Sequence, residues 1–204
     1  NLFETAPVTN TDLVTSTIVL DDVGRGSTGG DLVIGGLSVG ETSTSKGVQR
    51  FNITVEDNSK LETINSTNNT LREVSIVNGS TTRMTDDYTK TVKDAGNLTV
   101  RGNSEVKDAP IGNALPGAVQ DDYGFNDVRL IDASTFKGML DIDAVLSDKV
   151  TAKYLNLADT APDAPAADNV TFAYNLGTNN DKFSLDIDAS NLQASGTTTR
   201  EDFV

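Results

Sequence analysis

The sequence has no cysteine, no histidine and no tryptophan. Without cysteine there is no disulfide and no thiol chemistry. Losing both cysteine and histidine removes the usual zinc ligands. It also removes the commonest general base and every Ser-His or Cys-His nucleophile pair. Aromatic residues make up only 5% of the chain, too few to floor a sugar-binding cleft by stacking. No apolar run approaches the roughly 18 residues that a membrane span needs, so no membrane insertion is expected. Basic residues are scarce, with 16 Lys and Arg against 30 Asp and Glu and a net charge of −14. Such a surface repels nucleic acid and anionic lipid, which bind through clustered Lys and Arg. Together these absences point away from a conventional soluble enzyme.

What remains is a polar chain rich in turn formers. Its 204 residues suffice for one large β domain or two small ones, with a sizeable core. The acids are lopsided: 23 are Asp and 7 are Glu. Aspartate forms helices and strands poorly, but it favours turns and is a hard oxygen ligand for calcium. Short strand-like runs recur at Ser16–Val23, Asp31–Val39, Val48–Glu56, Leu61–Ile64 and Leu71–Val77. More follow at Asn97–Arg101, Asp127–Asp132, Gly138–Val145, Lys149–Leu157, Asn169–Leu176 and Lys182–Ile187. Gly-Gly, Asn-Gly, Asn-Asn and Gly-Asn pairs separate them, and these turn the chain cheaply. Asn65–Thr70 reads as a loop and Met84–Lys93 as the best short-helix candidate. Val106–Tyr123 and Asp159–Asp168 read as long surface loops.

Internal echoes suggest stacked units. Ile131-Asp132-Ala133-Ser134-Thr135-Phe136 recurs as Ile187-Asp188-Ala189-Ser190-Asn191-Leu192, and Leu140–Ala144 resembles Leu185–Ala189. The spaced aliphatics Leu61, Ile64, Leu71, Val74 and Ile76 suit rungs whose inward rows are buried only by the rungs beside them. The expected fold is therefore all-β. An irregular parallel β-helix is the first reading and a β-sandwich with long loops the alternative. One β-rich domain spans 1–204, and any sub-boundary falls in the 106–126 loop. The chain starts at Asn1 without an initiator Met and stops at Asp202-Phe203-Val204, which reads like the start of another strand. It is expected to be a fragment or repeat unit of a longer polypeptide, with any secretion signal elsewhere in it.

Candidate metal ligands follow from the aspartates. The phrase Gly177-Thr178-Asn179-Asn180-Asp181-Lys182-Phe183-Ser184-Leu185 combines a turn, carbonyls and a carboxylate. Gly and Asn tolerate a left-handed turn, and Asp181 adds a charged oxygen suited to a hard cation. Asp186 and Asp188 flank Ile187 and share one strand face, as Asp141 and Asp143 do around Ile142. Two carboxylates on one face repel each other unless a cation or a basic side chain sits between them. The candidate calcium ligands are thus Gly177, Asn179, Asp181, Asp186, Asp188, Asp141 and Asp143. Six N-x-[ST] triplets, at Asn52, Asn65, Asn68, Asn78, Asn97 and Asn169, are expected from so much Asn, Ser and Thr and carry no prediction of glycosylation.

The phrase at 177–185 resembles a single degenerate copy of the Gly-Gly-x-Gly-x-Asp-x-aliphatic-x nonapeptide of RTX-type calcium β-rolls. Asn179 stands at a glycine position, Asp181 at the liganding aspartate, and Phe183 and Leu185 at the inward positions. One copy cannot make a β-roll, because each ion there is shared between successive turns. With LETINSTNNTLREVSIVNG (61–79) and DVRLIDASTFKGMLDIDA (127–144), it is similar in style to large repeat-rich surface proteins of Gram-negative bacteria: S-layer proteins, RTX adhesins and matrix proteins exported by type I secretion. The resemblance implies an extracellular location, calcium-dependent folding after export, and association with other copies of itself. The expected function is a self-assembling structural subunit of a surface layer, fibre or biofilm matrix. The alternatives are a calcium-dependent adhesin module that binds a glycan or surface, and a carbohydrate-active β-helix enzyme.

Overall fold

The computed structural model describes residues 13–24, 26, 29–35, 47–79, 82–84, 90–92, 95–102, 123–147, 150 and 171–187. Over these the chain is mostly strand. The reason is the two-residue alternation of β-branched and aromatic side chains with small polar ones. Strand β3 (Arg50–Val55) is typical: Phe51, Ile53 and Val55 are fully buried, while Arg50, Asn52 and Thr54 point to the other side. Strand β6 (Glu73–Asn78) does the same with Val74 and Ile76.

One five-stranded sheet runs in the order β1 (Thr15–Leu20), β3, β6, β11 (Leu130–Asp132), β13 (Ala173–Asn175). Every neighbouring pair in it is parallel, and its spatial order is its sequence order. Parallel neighbours cannot be joined by a tight hairpin, so the chain must leave and return. It does so through a second set of parallel strands. Strand β2 (Asp31–Ile34) lies in sequence between β1 and β3, while β4 (Ser59–Leu61) and β5 (Thr63–Ser66) lie between β3 and β6. Strands β9 (Leu98–Val100) and β10 (Phe125–Asn126) lie between β6 and β11, and β12 (Leu140–Leu146) lies between β11 and β13. Strand β14 (Lys182–Ile187) follows β13. Within this set β2 pairs β5, β4 pairs β9, and both β9 and β10 pair one edge of β12. Strand β14 pairs with β12 as well, and a parallel bridge from Thr63 to Gly124 joins the β2–β5 pair to the rest.

The register stacks like on like. Ser16, Phe51, Val74, Ile131 and Tyr174 form one inward column of the first sheet. Leu61, Val100, Ile142 and Phe183 form one in the second. Both columns feed a single hydrophobic core. Burial fades toward the two ends. Tyr174, Phe183, Leu185 and Ile187 are half-buried, whereas Ile131, Ile142, Ala144 and Leu146 beside them are buried. At the opposite end Ser16, Leu32 and Ile34 are half-buried too.

Several expectations change. Met84–Lys93 is no helix where it is described. Met84 ends β7 (Thr82–Met84), and Lys90–Val92 is β8, its antiparallel partner. Asn65 and Ser66 belong to β5, and only Thr67–Asn69 forms a turn, of 3-10 type. Asp127 is a left-handed bend (φ 56°) and not the start of a strand. The sequence echoes are not structural repeats. Ile131 lies in the first sheet and Ile187 in the second. Leu185 stands opposite Ala144, so the two Leu-Asp-Ile-Asp-Ala phrases are out of step. Of the expected strand Lys149–Leu157 only Val150 is described, packed with Leu146. The loop Asp159–Asp168 lies outside the described residues, as does Val106–Tyr123 except for Tyr123.

Phe51 sits between Ser16 and Val74 with no exposed surface. Phe51→Ala is expected to cost about 3–5 kcal/mol, read as a lowered urea midpoint. Thr17→Ala, on the exposed side of β1, should stay within about 0.5 kcal/mol of the parent.

Candidate functional site

The aspartates Asp141 and Asp143 occupy alternate positions on one strand, and the β-sheet pleat puts them on the same outward face. Arg101 follows β9, which pairs with the start of β12, and its guanidinium reaches both. Its Nη1 donates to the two Asp141 oxygens at 3.0 and 3.3 Å. Its Nε lies 3.3 Å from each Asp143 oxygen. Lys182 stands opposite Asp141 on β14. The charge between these carboxylates is therefore a side chain of the protein. Asp143 is only 6% exposed. Burial pushes its carboxyl above the ordinary value of 3.8, with Arg101 pulling the other way. Further along β14, Asp186 accepts a hydrogen bond from the Tyr123 hydroxyl at 3.1 Å. Asp188 lies outside the described residues.

Gly177, Asn179 and Asp181 stand elsewhere, at the corner where the chain passes from the first sheet to the second. This corner is a ladder of side-chain amides and carboxylates. Asn58 Oδ1 accepts from the Asn97 amide at 2.9 Å, and Asn97 Oδ1 from the Met139 amide at 2.8 Å. Asp181 Oδ1 accepts from the Leu140 amide at 2.9 Å. The Thr178 amide donates to the Phe136 carbonyl and Asn179 Nδ2 to the Lys137 carbonyl. Glycine is required by close approach: a Cβ on Gly177 would lie 2.7 Å from the Phe136 oxygen. One atom of the ladder is left over. Asp181 Oδ2 is buried and accepts no hydrogen bond.

Two further polar constellations were not read from the sequence. Glu73, at the start of β6 and 3% exposed, accepts from Arg50 of β3 and, at 2.8 Å, from Arg129 just before β11. Burial pulls its pKa upward, but the two guanidinium groups outweigh it and hold the carboxyl below the ordinary 4.5. At the far corner, Asp127 takes the Ser147 amide at 2.7 Å, the Ser147 hydroxyl at 2.9 Å and Asn69 Nδ2 at 2.7 Å. Burial still raises its pKa. Asn69 and Asp127 both have a left-handed backbone (φ 51° and 56°), which Asn and Asp tolerate better than other side chains. Asn65 is 2% exposed and bonded to Asn69, so its sequon triplet is buried.

For calcium, the two halves of the candidate set differ. Asp141 and Asp143 do not fit a cation site, because a guanidinium already bridges them. The corner offers one uncommitted carboxylate oxygen, Asp181 Oδ2, beside peptide carbonyls, and calcium takes six to eight such oxygens. Among the described residues no group of three or more carboxylates is arranged around a common point.

The ion pairs predict how stability responds to pH. A carboxyl with a lowered native pKa stabilises the fold above its unfolded value, and that gain is lost as pH falls through the native value. Glu73→Gln should therefore cost about 2–3 kcal/mol at neutral pH, with the gap to the parent closing as pH drops below about 4.5. Arg101→Met should follow the same trend for a different reason. It removes the cation that offsets the burial of Asp143, whose carboxyl is already raised above its ordinary value, so its deficit in urea melts is largest at pH 7 and shrinks as the pH falls and Asp143 takes up a proton. A pH-independent deficit in either variant would contradict these assignments. In comparisons with known proteins, no protein-family model, curated protein or solved structure matches this chain.

Proposed function

We propose that the chain is a five-rung parallel β-helix that works outside the cell as a structural subunit, assembling with copies of itself into a calcium-stabilised surface layer, fibre or matrix. The observation that carries the reading is the alternation of the two parallel strand sets along the chain, with registers that hold columns such as Ser16–Phe51–Val74–Ile131–Tyr174 in line. An architecture of this kind grows by adding rungs. Its two ends carry half-buried inward rows, and strand edges of that kind favour pairing with another chain. The circuits are uneven, since the first column steps from 16 to 51, 74, 131 and 174, which suits an irregular solenoid with inserted loops.

Calcium enters the reading through the corner of Gly177, Asn179 and Asp181 and through the net charge of −14. Packing copies of so acidic a chain is repulsive unless cations neutralise it. When bound, calcium would supply a counter-charge to Asp181 Oδ2, the buried oxygen with no hydrogen bond. Asp141 and Asp143 drop out of the calcium set, and their role is to hold β9 against β12 through Arg101.

A second reading rests on the outer face of the first sheet. Thr17, Asn52, Ser75, Asp132 and Asn175 form one outward column of small polar groups. Strand spacing places them about 4.8 Å apart. A row of hydroxyls, amides and one carboxylate suits an extended glycan, as an adhesin module would need.

Melts in millimolar calcium against EDTA test the calcium component. Saturation at a hundred times Kd corresponds to about 2.7 kcal/mol of stabilisation, and Asp181→Asn should abolish that difference while Asp141→Asn should not. Electron microscopy with and without chelator tests assembly. Ordered sheets or filaments that dissolve in EDTA are expected. A monomer that stays monomeric in calcium and binds a glycan would favour the adhesin reading.

A further inference from the structure

Resting on the proposed self-assembly, we infer that copies join head to tail, with the β13–β14 end of one chain receiving the β1–β2 end of the next in continuous register. The occupant of the β13–β14 edge is thus a second copy of this chain.

The registers inside the chain define which residues would meet. In the first sheet Asn175 closes the outward column that begins at Thr17, and Tyr174 closes the inward column that begins at Ser16. In the second, Leu32 stands beside Ile64, while Phe125, Ala144 and Leu185 continue in line, with Thr63 bridged to Gly124 fixing the step between. Adding one more rung places Ser16 of the next copy on Tyr174 and its Leu32 on Leu185. The shapes suit this pairing. Ser16 already has one aromatic neighbour, Phe51, and is small enough to take Tyr174 on its open side. Leu32 and Leu185 are each half-buried, and each would gain an apolar neighbour.

The charges suit it too. The outward column of Lys60, Thr99, Asp141 and Lys182 ends on a lysine. Lys60 donates its amide to the Val23 carbonyl, and Gly24 lies against the Lys60 carbonyl, so the same column begins at Val23–Gly24, directly after Asp21 and Asp22 in the chain. A following copy would bring its Val23–Gly24 segment onto Lys182, with Asp21 and Asp22 close by in the chain. Unlike ends attract in this arrangement, while two like ends would set acid against acid or lysine against lysine.

The absence of cysteine makes a direct test available. Thr17 and Asn175 are outward and exposed, and across a head-to-tail joint their Cα atoms would sit about 4.8 Å apart, within disulfide range. T17C and N175C, mixed in calcium under mild oxidation, should give a covalent dimer that neither gives alone, and the double variant a ladder of oligomers. Lys182→Glu should slow assembly at low salt, with the effect vanishing at high ionic strength. Dimers from T17C alone or N175C alone would mean that like ends meet, and would overturn the inference. So would filaments in calcium without any mixed disulfide, since copies then join by another surface and only the broader self-assembly reading survives. If no species larger than a monomer forms by light scattering in any condition, the self-assembly reading itself fails. If in addition the β14 amides are strongly protected from hydrogen exchange in the monomer, residues of the same chain cover that edge.

Discussion

A strand whose inward row is apolar cannot bury that row by itself, and everything in this molecule follows from the way it is covered. Phe51 is buried because Ser16 lies on one side, Val74 on the other, and the second sheet across the core. The same holds for Ile53 between Ile18 and Ile76. Each strand is thus both a buried object and the cover for its neighbours. Stability in such an arrangement is a sum of nearest-neighbour terms, strongest in the middle and weakest where a neighbour is missing.

Parallel stacking also dictates where polar groups can be buried. Equivalent positions in successive strands lie about 4.8 Å apart, so an unbalanced charge in one strand would meet its own kind in the next. The chain alternates instead. Arg50, Glu73 and Arg129 place one carboxylate between two guanidinium groups. Arg101 does the converse, one cation between Asp141 and Asp143. At the corners, Asn and Asp side chains bonded to backbone amides take over. Asn58 and Asn97 each accept from a backbone amide about forty residues further along, and Asp181 from the Leu140 amide before it, while Asn69, Asp127 and Ser147 join the chain after β5, β10 and β12 at the far side. These contacts satisfy backbone groups that a turn would otherwise leave unpaired, and they fix the register as firmly as the apolar columns do.

Much of this was legible in residue order. The alternation in RFNITV, EVSIVN and KFSLDI marks strands with one apolar face, and the Asn- and Gly-rich separators mark the turns. The uneven sequence spacing between neighbouring strands of the first sheet was legible only as irregularity. The echo of Ile131–Phe136 at Ile187 suggested a repeat and misled, because strands of the two sheets use the same alternation and so resemble each other locally. Met84–Lys93 is the best short-helix candidate in the sequence, and among its described residues the pairing of Lys90–Val92 with Thr82–Met84 makes strand instead. For the candidate site, sequence adjacency found Asp141 with Asp143 but not Arg101, which lies forty residues before Asp141 and arrives by strand pairing. Asp181 was found for its likeness to a calcium turn. Its bond to the Leu140 amide depends on a residue at the start of β12, and nothing local in the sequence announces it.

The central claim is that the chain is a continuous stack in which each circuit is held by the ones beside it. Residue-resolved hydrogen exchange of the monomer tests it most directly. The account predicts the slowest exchange for the interior strands β3, β6 and β11 and for β12, with protection falling stepwise to β1 at one end and to β13 and β14 at the other. Equal protection across all strands, or the highest protection at β1 or β13, would contradict it.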